Sequence, residues 1–194
     1  MVAHQKPKVV RGRTNLVSIN ESLGLHRGVV EVVSYDPRWP ALYEVAAAEL
    51  LSAVGPAILG VHHVGSTSVP NLCAKPILDI LISVPDFNAA LRLVPEIEAL
   101  GYVFRRDEEI EDRHYFRRGN DTARTHHLSL ATPTSRHHVD TIAFRDALRR
   151  DEQLAGAYAD LKLALARRFP RDRESYINGK TDFVMGVLRG LGLS

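Results

Sequence analysis

The stretch VGSTSVPNLCAKPILDI (residues 64–80) connects two predicted strands and holds the densest polar chemistry of the chain. The first strand is predicted over residues 58–64 and the second over residues 76–84. The second segment is almost continuously apolar, so we expect it to be buried on both faces. The residues of this stretch that are candidates for contacting a ligand are Gly65, Ser66, Thr67, Ser68, Lys75 and Asp79.

The residues of this stretch allow two interpretations. A strand that ends in Gly65-Ser66 can turn sharply, and the N–H and hydroxyl groups of such a turn can bind phosphate oxygens. Lys75 would add a positive charge to the same ligand. Asp79 lies within the apolar strand, on the same face as Leu81, where a carboxylate needs a partner. The alternative is a Ser/Thr-rich turn, with Asp79 hydrogen bonded to local backbone donors.

The composition of the chain suits one globular domain. It has 194 residues, of which 45% are apolar and 25% charged. The formal net charge of +2 gives no overall attraction to nucleic acid, which we therefore do not expect as a partner. Cys73 is the single cysteine, which excludes an internal disulfide and favours a cytoplasmic location. The sequence has neither an apolar run of about 18 residues that would predict a membrane span nor a recognisable secretory signal.

The order of the predicted elements indicates the fold class. Residues 1–27 are polar, basic and aperiodic, so we predict a flexible N-terminal extension followed by a single domain over residues 28–194. Within the domain the order is a helix, two strands, a helix, three strands and a helical tail over about residues 140–192. This order favours the α+β class, with a mixed sheet of about five strands and flanking helices, over a doubly wound array.

Several element boundaries follow from periodicity and from turn residues. Residues 29–34 are a β-branched run that predicts an edge strand. Residues 40–54 have helical spacing, and the helix is predicted to end at Gly55. Asp86 is the predicted N-cap of the next helix, which would end at Gly101. The remaining strands are predicted over residues 102–105, 114–117 and 125–130.

Basic side chains on later strands are candidates for binding an anion. Arg113, Tyr115 and Arg117 share one face of their segment, because alternate residues of a strand point the same way. Guanidinium groups pair well with phosphate, so this face could clamp a phosphorylated ligand. The alternative is a solvated edge strand. Arg124, just before the next strand, allows the same two interpretations.

Two lysines of the predicted helical tail receive different interpretations. Lys180 follows Tyr176 by one helical turn and shares a largely apolar face. Either its stem packs while the ammonium reaches water, or the ammonium contacts a phosphate in a cleft. Lys162, near Tyr158 on the preceding helix, is interpreted as a surface residue.

Six blocks of the sequence together resemble the GrpB family, which belongs to the nucleotidyltransferase superfamily of the polymerase-beta type. They keep their order from about residue 29 to residue 190. The resemblance therefore covers nearly the whole chain outside the predicted extension, and it implies a nucleotidyltransferase-like core. The blocks are YDPRWP, HVGSTSVPNLCAKPILDI, RHYFRRG, RTHHLSL, AFRDALR and DRESYINGKTDF.

The resemblance implies roles for the loop residues. Gly65 and Ser66 would hold the phosphates of a nucleotide, and Asp79 would be the first metal-binding carboxylate. Leu81 stands where the superfamily has a second carboxylate. Two-metal phosphoryl transfer needs several carboxylates, so the set in this chain is incomplete.

His127 is a candidate to complement Asp79. It shares a strand face with Ser129, on the strand where the superfamily keeps its third carboxylate. Asp79 and His127 would then be the catalytic residues and would hold a divalent metal, Mg²⁺, Mn²⁺ or Zn²⁺. A His/Asp site favours a single Mn²⁺, Zn²⁺ or Fe²⁺ over a pair of Mg²⁺ ions. Ser129 replaces a histidine that is usual in the family. The alternative is a half-buried strand histidine with ordinary hydrogen bonds.

Two functions follow as expectations. The first is metal-dependent transfer of a nucleotidyl or phosphoryl group by an enzyme that binds a nucleotide or another phosphate-containing small molecule. The second is a non-catalytic module that binds a nucleotide or a CoA precursor. The family includes fusions with dephospho-CoA kinase, so the resemblance implies that kinase as a candidate partner. The missing carboxylate at Leu81 favours the second function, and the retained Lys75 and Asp79 favour a ligand site in either case.

Overall fold

A mixed five-stranded sheet organises the part of the chain that the computed structural model describes, residues 22–106 and 112–193. The strand order is β1-β2-β5-β4-β3, and β2 and β5 are parallel while the other neighbours are antiparallel. The α+β class and the five strands predicted from the sequence are confirmed. The strands are β1 (Gly60–Val64), β2 (Leu78–Ser83), β3 (Tyr102–Phe104), β4 (His114–Gly119) and β5 (Arg124–Ala131).

Six α-helices cover the two faces of this sheet in the described ranges, and three of them begin at a side-chain cap. Ser135, Asp151 and Asp172 each accept a hydrogen bond from a backbone N–H three residues on, which satisfies a donor that the helix leaves free. No helix among the described residues is both long and apolar enough to cross a membrane. The helices are α1 (Trp39–Val54), α2 (Val94–Ala99), α3 (Arg136–Arg150), α4 (Glu152–Arg168), α5 (Arg173–Asn178) and α6 (Thr181–Gly190).

One face of the sheet forms the apolar core beneath α1 and α2. Alternate residues of β2 and β5 point into it, and Leu50 of α1 and Ile97 of α2 are fully buried against them. Burying such side chains contributes about 1.5–3 kcal/mol each, so this face provides much of the folding free energy. The strand residues of this core include Ile80, Ile82, Phe116, Leu128 and Leu130.

The opposite face of the sheet is covered by the C-terminal helices and holds a cleft. Asp79 of β2 lies directly beside His127 of β5 in the parallel register, and Leu81 lies beside Ser129. Helices α3 and α6 pack together, with the rings of Phe144, Tyr158 and Phe183 in contact where α4 meets them. The sheet therefore separates an apolar core from a polar cleft.

The structure corrects the predicted extension of residues 1–27. Residues 1–21 lie outside the described residues. Residues 22–27, however, pack on the domain, because Leu23 and Leu25 are buried and the backbone of Leu25 pairs with that of Arg124. The described domain thus begins before the predicted boundary at residue 28.

Other element boundaries differ from the prediction for identifiable reasons. The predicted edge strand of residues 29–34 forms only one bridge, between Val33 and Ala74. The helix expected after Asp86 is a 3₁₀ turn, Ala89–Leu93, followed by the short α2, because Pro95 starts a new helix at its first turn. The helical tail starts at residue 136, where Ser135 provides the cap.

Candidate functional site

The turn after β1 is built around Gly65. Its φ of +67° and ψ of −174° lie in a region that only glycine adopts readily. A Cβ at this position would overlap the carboxylate of Asp79, so the turn and the strand approach each other as closely as the chain allows. The 3₁₀ turn Ser66–Ser68 follows. The position of this turn over β2 thus depends on the absence of a side chain at residue 65.

Asp79 and His127 contact each other across the parallel strand pair. The Nδ1 of His127 lies 3.0 Å from Oδ1 of Asp79. Burial alone would raise the pKa of Asp79, but the hydrogen bond from His127 and the charge of Lys75 outweigh it, and the pKa lies below its ordinary value. Burial lowers the pKa of His127. The predicted pair therefore faces the same side of the sheet, with an ionised carboxylate beside a neutral imidazole.

The donor set around this pair is small for a resident metal ion. Within residues 22–106 and 112–193, no group of three or more histidine, cysteine or acidic side chains converges on one point. The Nε2 atom of His127 is buried and has no hydrogen-bond partner among the described residues. Catalytic zinc sites use three protein ligands, and this pair does not fit that pattern. The metal dependence expected from the sequence stays a prediction.

Two lysines that line the cleft interact electrostatically with the carboxylate of Asp79. The Nζ atoms of Lys75 and Lys180 lie 5.4 and 4.6 Å from the ring centroid of Tyr176. Burial lowers the pKa of both, and that of Lys180 falls to about 7, with the charge of Lys75 as the next cause. Aromatic faces attract ammonium groups without neutralising them. The lysines are therefore held in place while their charges remain available to an anion.

The position of Lys162 on α4 differs from the sequence interpretation. It was expected at the surface, yet it is 2% exposed and its Nζ lies 4.8 Å from the ring centroid of Tyr158. The Nζ donates hydrogen bonds to Oγ of Ser66, at 3.1 Å, and to the carbonyl oxygen of Cys73. Burial lowers the pKa of Lys162 to about 8. This lysine thus ties the C-terminal helices to the turn after β1.

Arg113 and Arg117 flank Tyr115 at the far side of the cleft. Their guanidinium carbons lie 4.8 and 5.5 Å from the tyrosine ring centroid, and the ring is 5.6 Å from that of His127. Arg113 and Tyr115 line the cleft, whereas Arg117 does not. The expected Arg-Tyr-Arg face therefore exists, and part of it reaches the site.

The cleft that these residues enclose has a volume of about 450 Å³. That size is ordinary for a small-molecule site. Counted over the described residues, six lysine and arginine side chains line the cleft, together with two carboxylates, those of Asp79 and Asp140. The sequence-predicted residues that line it are Gly65, Ser66, Thr67, Lys75, Asp79, Arg113, Tyr115, His127 and Lys180.

Three predicted ligand residues do not line the cleft. Ser68 Oγ donates to the carbonyl oxygen of Gly65, and the Ser68 carbonyl accepts from Arg149, so this serine stabilises the turn. Arg124 is buried beside the N-terminal segment, where its backbone pairs with Leu25. The guanidinium of Arg117 packs against the ring of Tyr115. These side chains have the charge or hydroxyl that the sequence indicated, but they do not reach the cleft.

Sequence reasoning missed Lys162 and Arg173, which both line the cleft. A signal for Lys162 was present, since it lies one helical turn after Tyr158 on an apolar face, as Lys180 does after Tyr176. Arg173 offered no comparable signal, because it stands at the start of α5 among other charged residues.

The fold of this chain is similar to that of a solved polymerase structure. A crystal structure of Cid1 poly(U) polymerase bound to MgATP matches with a TM-score of 0.51 and 14% identity, over 71% of this chain and 45% of that chain. This likeness confirms the nucleotidyltransferase-like core. A shorter sequence match, 40% identical over 79 residues, joins 39% of this chain to 19% of the dephospho-CoA kinase of Mycolicibacterium paratuberculosis.

Stronger matches cover most of the domain. The chain is 40% identical over 162 residues to UPF0157 protein PA4798 of Pseudomonas aeruginosa and 35% identical over 158 residues to UPF0157 protein YqkA of Bacillus subtilis, covering 82% and 80% of this chain. It spans 66% and 45% of the length of those two relatives. The crystal structure of conserved protein GrpB from Enterococcus faecalis superposes with a TM-score of 0.76 and 33% identity, over 82% of this chain and 96% of that one. The profile of the family described as GrpB protein matches residues 29–189, and the chain belongs to the GrpB family.

Proposed function

We propose that the cleft binds a small molecule that carries phosphate groups, with a nucleotide as the first ligand to test. The observation that carries this proposal is the excess of lysine and arginine side chains over carboxylates, six against two among the described residues, in a cleft of about 450 Å³. Buried cations are costly unless an anion compensates them. A phosphorylated ligand would supply that compensation.

The surroundings of the lysines favour an anionic ligand over an internal ion-pair network. Among the described residues, Lys75, Lys180 and Arg173 form no salt bridge, and the two lysines contact Tyr176 instead. The lowered pKa of Lys180 has the same origin, because burial and neighbouring cations oppose its charge. A bound phosphate would reverse this effect by stabilising the ammonium forms.

A nucleotide is the preferred class for two reasons. The nucleotidyltransferase-like fold is shared with the MgATP-bound Cid1 poly(U) polymerase, and the Gly65-Ser66 turn lies beside Asp79 at the cleft. Transfer of a nucleotidyl or phosphoryl group is the corresponding activity. In this proposal Asp79 orients His127, and the lysines neutralise the phosphates.

A second candidate is a non-catalytic module that binds a nucleotide or CoA precursor and associates with dephospho-CoA kinase. Leu81 favours it, because this side chain is fully buried and packs with Val64 and Ala131 where the superfamily has its second carboxylate. The partial likeness to dephospho-CoA kinase points in the same direction. Ligand binding is common to both candidates, so it is tested first.

Calorimetric titration with ATP, UTP, CoA and dephospho-CoA tests the proposal, with Mg²⁺ or Mn²⁺ either added or chelated. We expect micromolar to millimolar binding of at least one ligand, and a loss of about 1.5–3 kcal/mol of binding free energy in Lys75→Gln and Lys180→Gln. Arg92→Gln is the matched control, because Arg92 is exposed and does not line the cleft.

The outcomes separate the alternatives. Failure of every ligand to bind would overturn the proposal, and equal binding by the two lysine variants and wild type would place the ligand elsewhere. Binding that needs no metal and survives Asp79→Ala contradicts the predicted metal site. Consumption of the bound nucleotide, followed by chromatography, distinguishes transfer from a binding module.

A further inference from the structure

Ser66 and Lys162 form a hydrogen-bonded pair in the wall of the cleft. Lys162 Nζ lies 3.1 Å from Ser66 Oγ and also donates to the carbonyl oxygen of Cys73. Lys162 is 2% exposed and makes no ion pair with any acidic residue in the described ranges. Ser66 and Lys162 both line the cleft. A buried lysine that contacts a ligand-facing hydroxyl is an arrangement that can activate the hydroxyl as a nucleophile.

We propose that Ser66 is a nucleophile and Lys162 its general base, and that together they form a covalent phosphoryl ester with a ligand containing a phosphoanhydride. The ligand class rests on the proposed function. Ser66 Oγ forms a bond to phosphorus while the bond from phosphorus to the bridging oxygen breaks. The hydroxyl proton moves to Lys162 Nζ, and the leaving phosphate or nucleotide departs with the bond's electron pair. Lys75 and Lys180 neutralise the departing anion.

The contacts of Lys162 suit the neutral amine that a general base requires. A neutral Nζ keeps two N–H bonds and one lone pair, so it can still donate to the Cys73 carbonyl while it accepts the proton of Ser66. Burial lowers the pKa of Lys162 to about 8, so a substantial fraction is neutral in mildly alkaline solution. The titratable groups that face it are Cys73, Tyr158 and, from the start of α6, Lys180.

The backbone holds Ser66 in a fixed position beside the cleft. Gly65 adopts its glycine-specific conformation immediately before it, and the turn is closed by the Ser68 hydroxyl bond to the Gly65 carbonyl. A nucleophile on a rigid turn loses little entropy when its ligand binds. Ser52, an exposed serine of α1 that does not line the cleft, offers a control for Ser66.

The test uses a fluorophosphonate ester, which forms the same oxygen–phosphorus bond with an activated serine and releases fluoride. The full-length protein is incubated with the probe across the pH range, and the modified peptide is identified by mass spectrometry. We expect labelling at Ser66, with a rate that rises through a pH near 8, the pKa of Lys162. Labelling should be abolished in Ser66→Ala and unchanged in Ser52→Ala.

Two lysine variants separate base catalysis from structural support. Lys162→Arg keeps the charge but cannot lose its proton, so we expect the labelling rate to fall about a hundredfold. Lys162→Met removes the base and the buried charge, and we expect its thermal unfolding to remain cooperative, as a folded variant requires. If neither variant lowers the rate, if the rate is independent of pH, or if wild-type Ser66 is not labelled, the pair is only structural.

The labelling experiment and the ligand titration test separate claims, so either can fail without the other. Labelling at Ser66 without binding of any phosphorylated ligand would overturn the proposed function and leave an activated serine. Ligand binding without labelling would overturn the nucleophile–base pair and leave the binding site. A mass increase of one phosphoryl group on Ser66 after incubation with acetyl phosphate would support both.

Discussion

The two faces of the sheet use the same strands for different purposes, and β5 shows the contrast most clearly. Leu128 points into the core under α1 and is fully buried, whereas its neighbours His127 and Ser129 point into the cleft under the C-terminal helices. The core face holds apolar side chains in mutual contact. The cleft face holds the hydrogen-bonded Asp79–His127 pair, tyrosines and basic residues.

This contrast separates residues that stabilise the fold from residues of the proposed binding site. Apolar burial contributes to folding in proportion to area, so residues on the core face act mainly through the free energy of unfolding. Cleft residues carry charges that are partly uncompensated, so they oppose folding slightly, and in the proposed function they act by binding a ligand. Substitutions on the two faces should therefore affect different measurements.

The largest expected effect comes from a pair of neighbouring substitutions on β5. Leu128→Ala removes a fully buried core side chain and should lower the free energy of unfolding by about 2–5 kcal/mol. Ser129→Ala, on the cleft face, should lower it by less than about 1 kcal/mol. Urea-induced unfolding followed by circular dichroism measures both. Equal losses would mean that the two faces do not differ in their contribution to folding.

A second expected effect concerns the turn after β1, on the cleft side of the sheet. Gly65→Ala should lower the free energy of unfolding by about 1–3 kcal/mol, because the conformation of residue 65 is specific to glycine. The new Cβ also overlaps Asp79, so anion binding in the cleft should weaken. Gly156→Ala in α4 is the control, since its Cβ meets nothing within 4 Å.

The control substitution should change stability in the opposite direction, because alanine has a higher helix propensity than glycine. Gly156→Ala should stabilise the protein by about 0.5–1 kcal/mol and leave binding unchanged. Thermal unfolding and calorimetry measure the two variants. A stable Gly65→Ala variant that binds normally would show that the close approach to Asp79 does not shape the site.

The smallest expected effect is the pH dependence of anion binding. Lys180 has a pKa lowered to about 7, so it is cationic below that pH and loses its charge above it. The affinity for sulfate, whose own charge is constant in this range, should fall by up to about tenfold per pH unit as Lys180 deprotonates. Lys180→Arg keeps its charge and should bind with little pH dependence. If the affinity for sulfate still falls steeply with pH in Lys180→Arg, the pH dependence belongs to another group, such as Lys75.

Much of the cleft followed from local sequence patterns. The Gly65-Ser66 turn and the odd carboxylate of Asp79 are visible because glycine before a serine cluster and a charge in an apolar strand are locally unusual. Alternation along β5 also puts His126 on the face opposite His127, and the structure has this arrangement. His126 has its pKa lowered to about 4 by burial beside Tyr102, and it takes no part in the cleft.

Other residues could not be assigned from local patterns. Ser68 and Arg124 have suitable chemistry and suitable neighbours in the sequence. In the structure, however, the Ser68 hydroxyl donates to a backbone carbonyl, and Arg124 pairs through its backbone with the N-terminal segment. Lys162 contacts Ser66, a residue 96 positions away. That contact depends on how α4 packs on the sheet, which no short window of the sequence specifies.

The sequence by itself determined the strand and helix order, the α+β class, the Gly65 turn and the face on which Asp79 and His127 lie. These features depend on backbone preferences and on side-chain periodicities of two or 3.6 residues, which are local properties. Only the tertiary structure decided which cations meet. Lys75, Lys162, Lys180 and Arg173 come from separate segments, and packing of the C-terminal helices over the sheet brings them to one cleft. Because such packing minimises the free energy of the whole domain, it fixes the chemistry of the site at a distance from each residue's own neighbours.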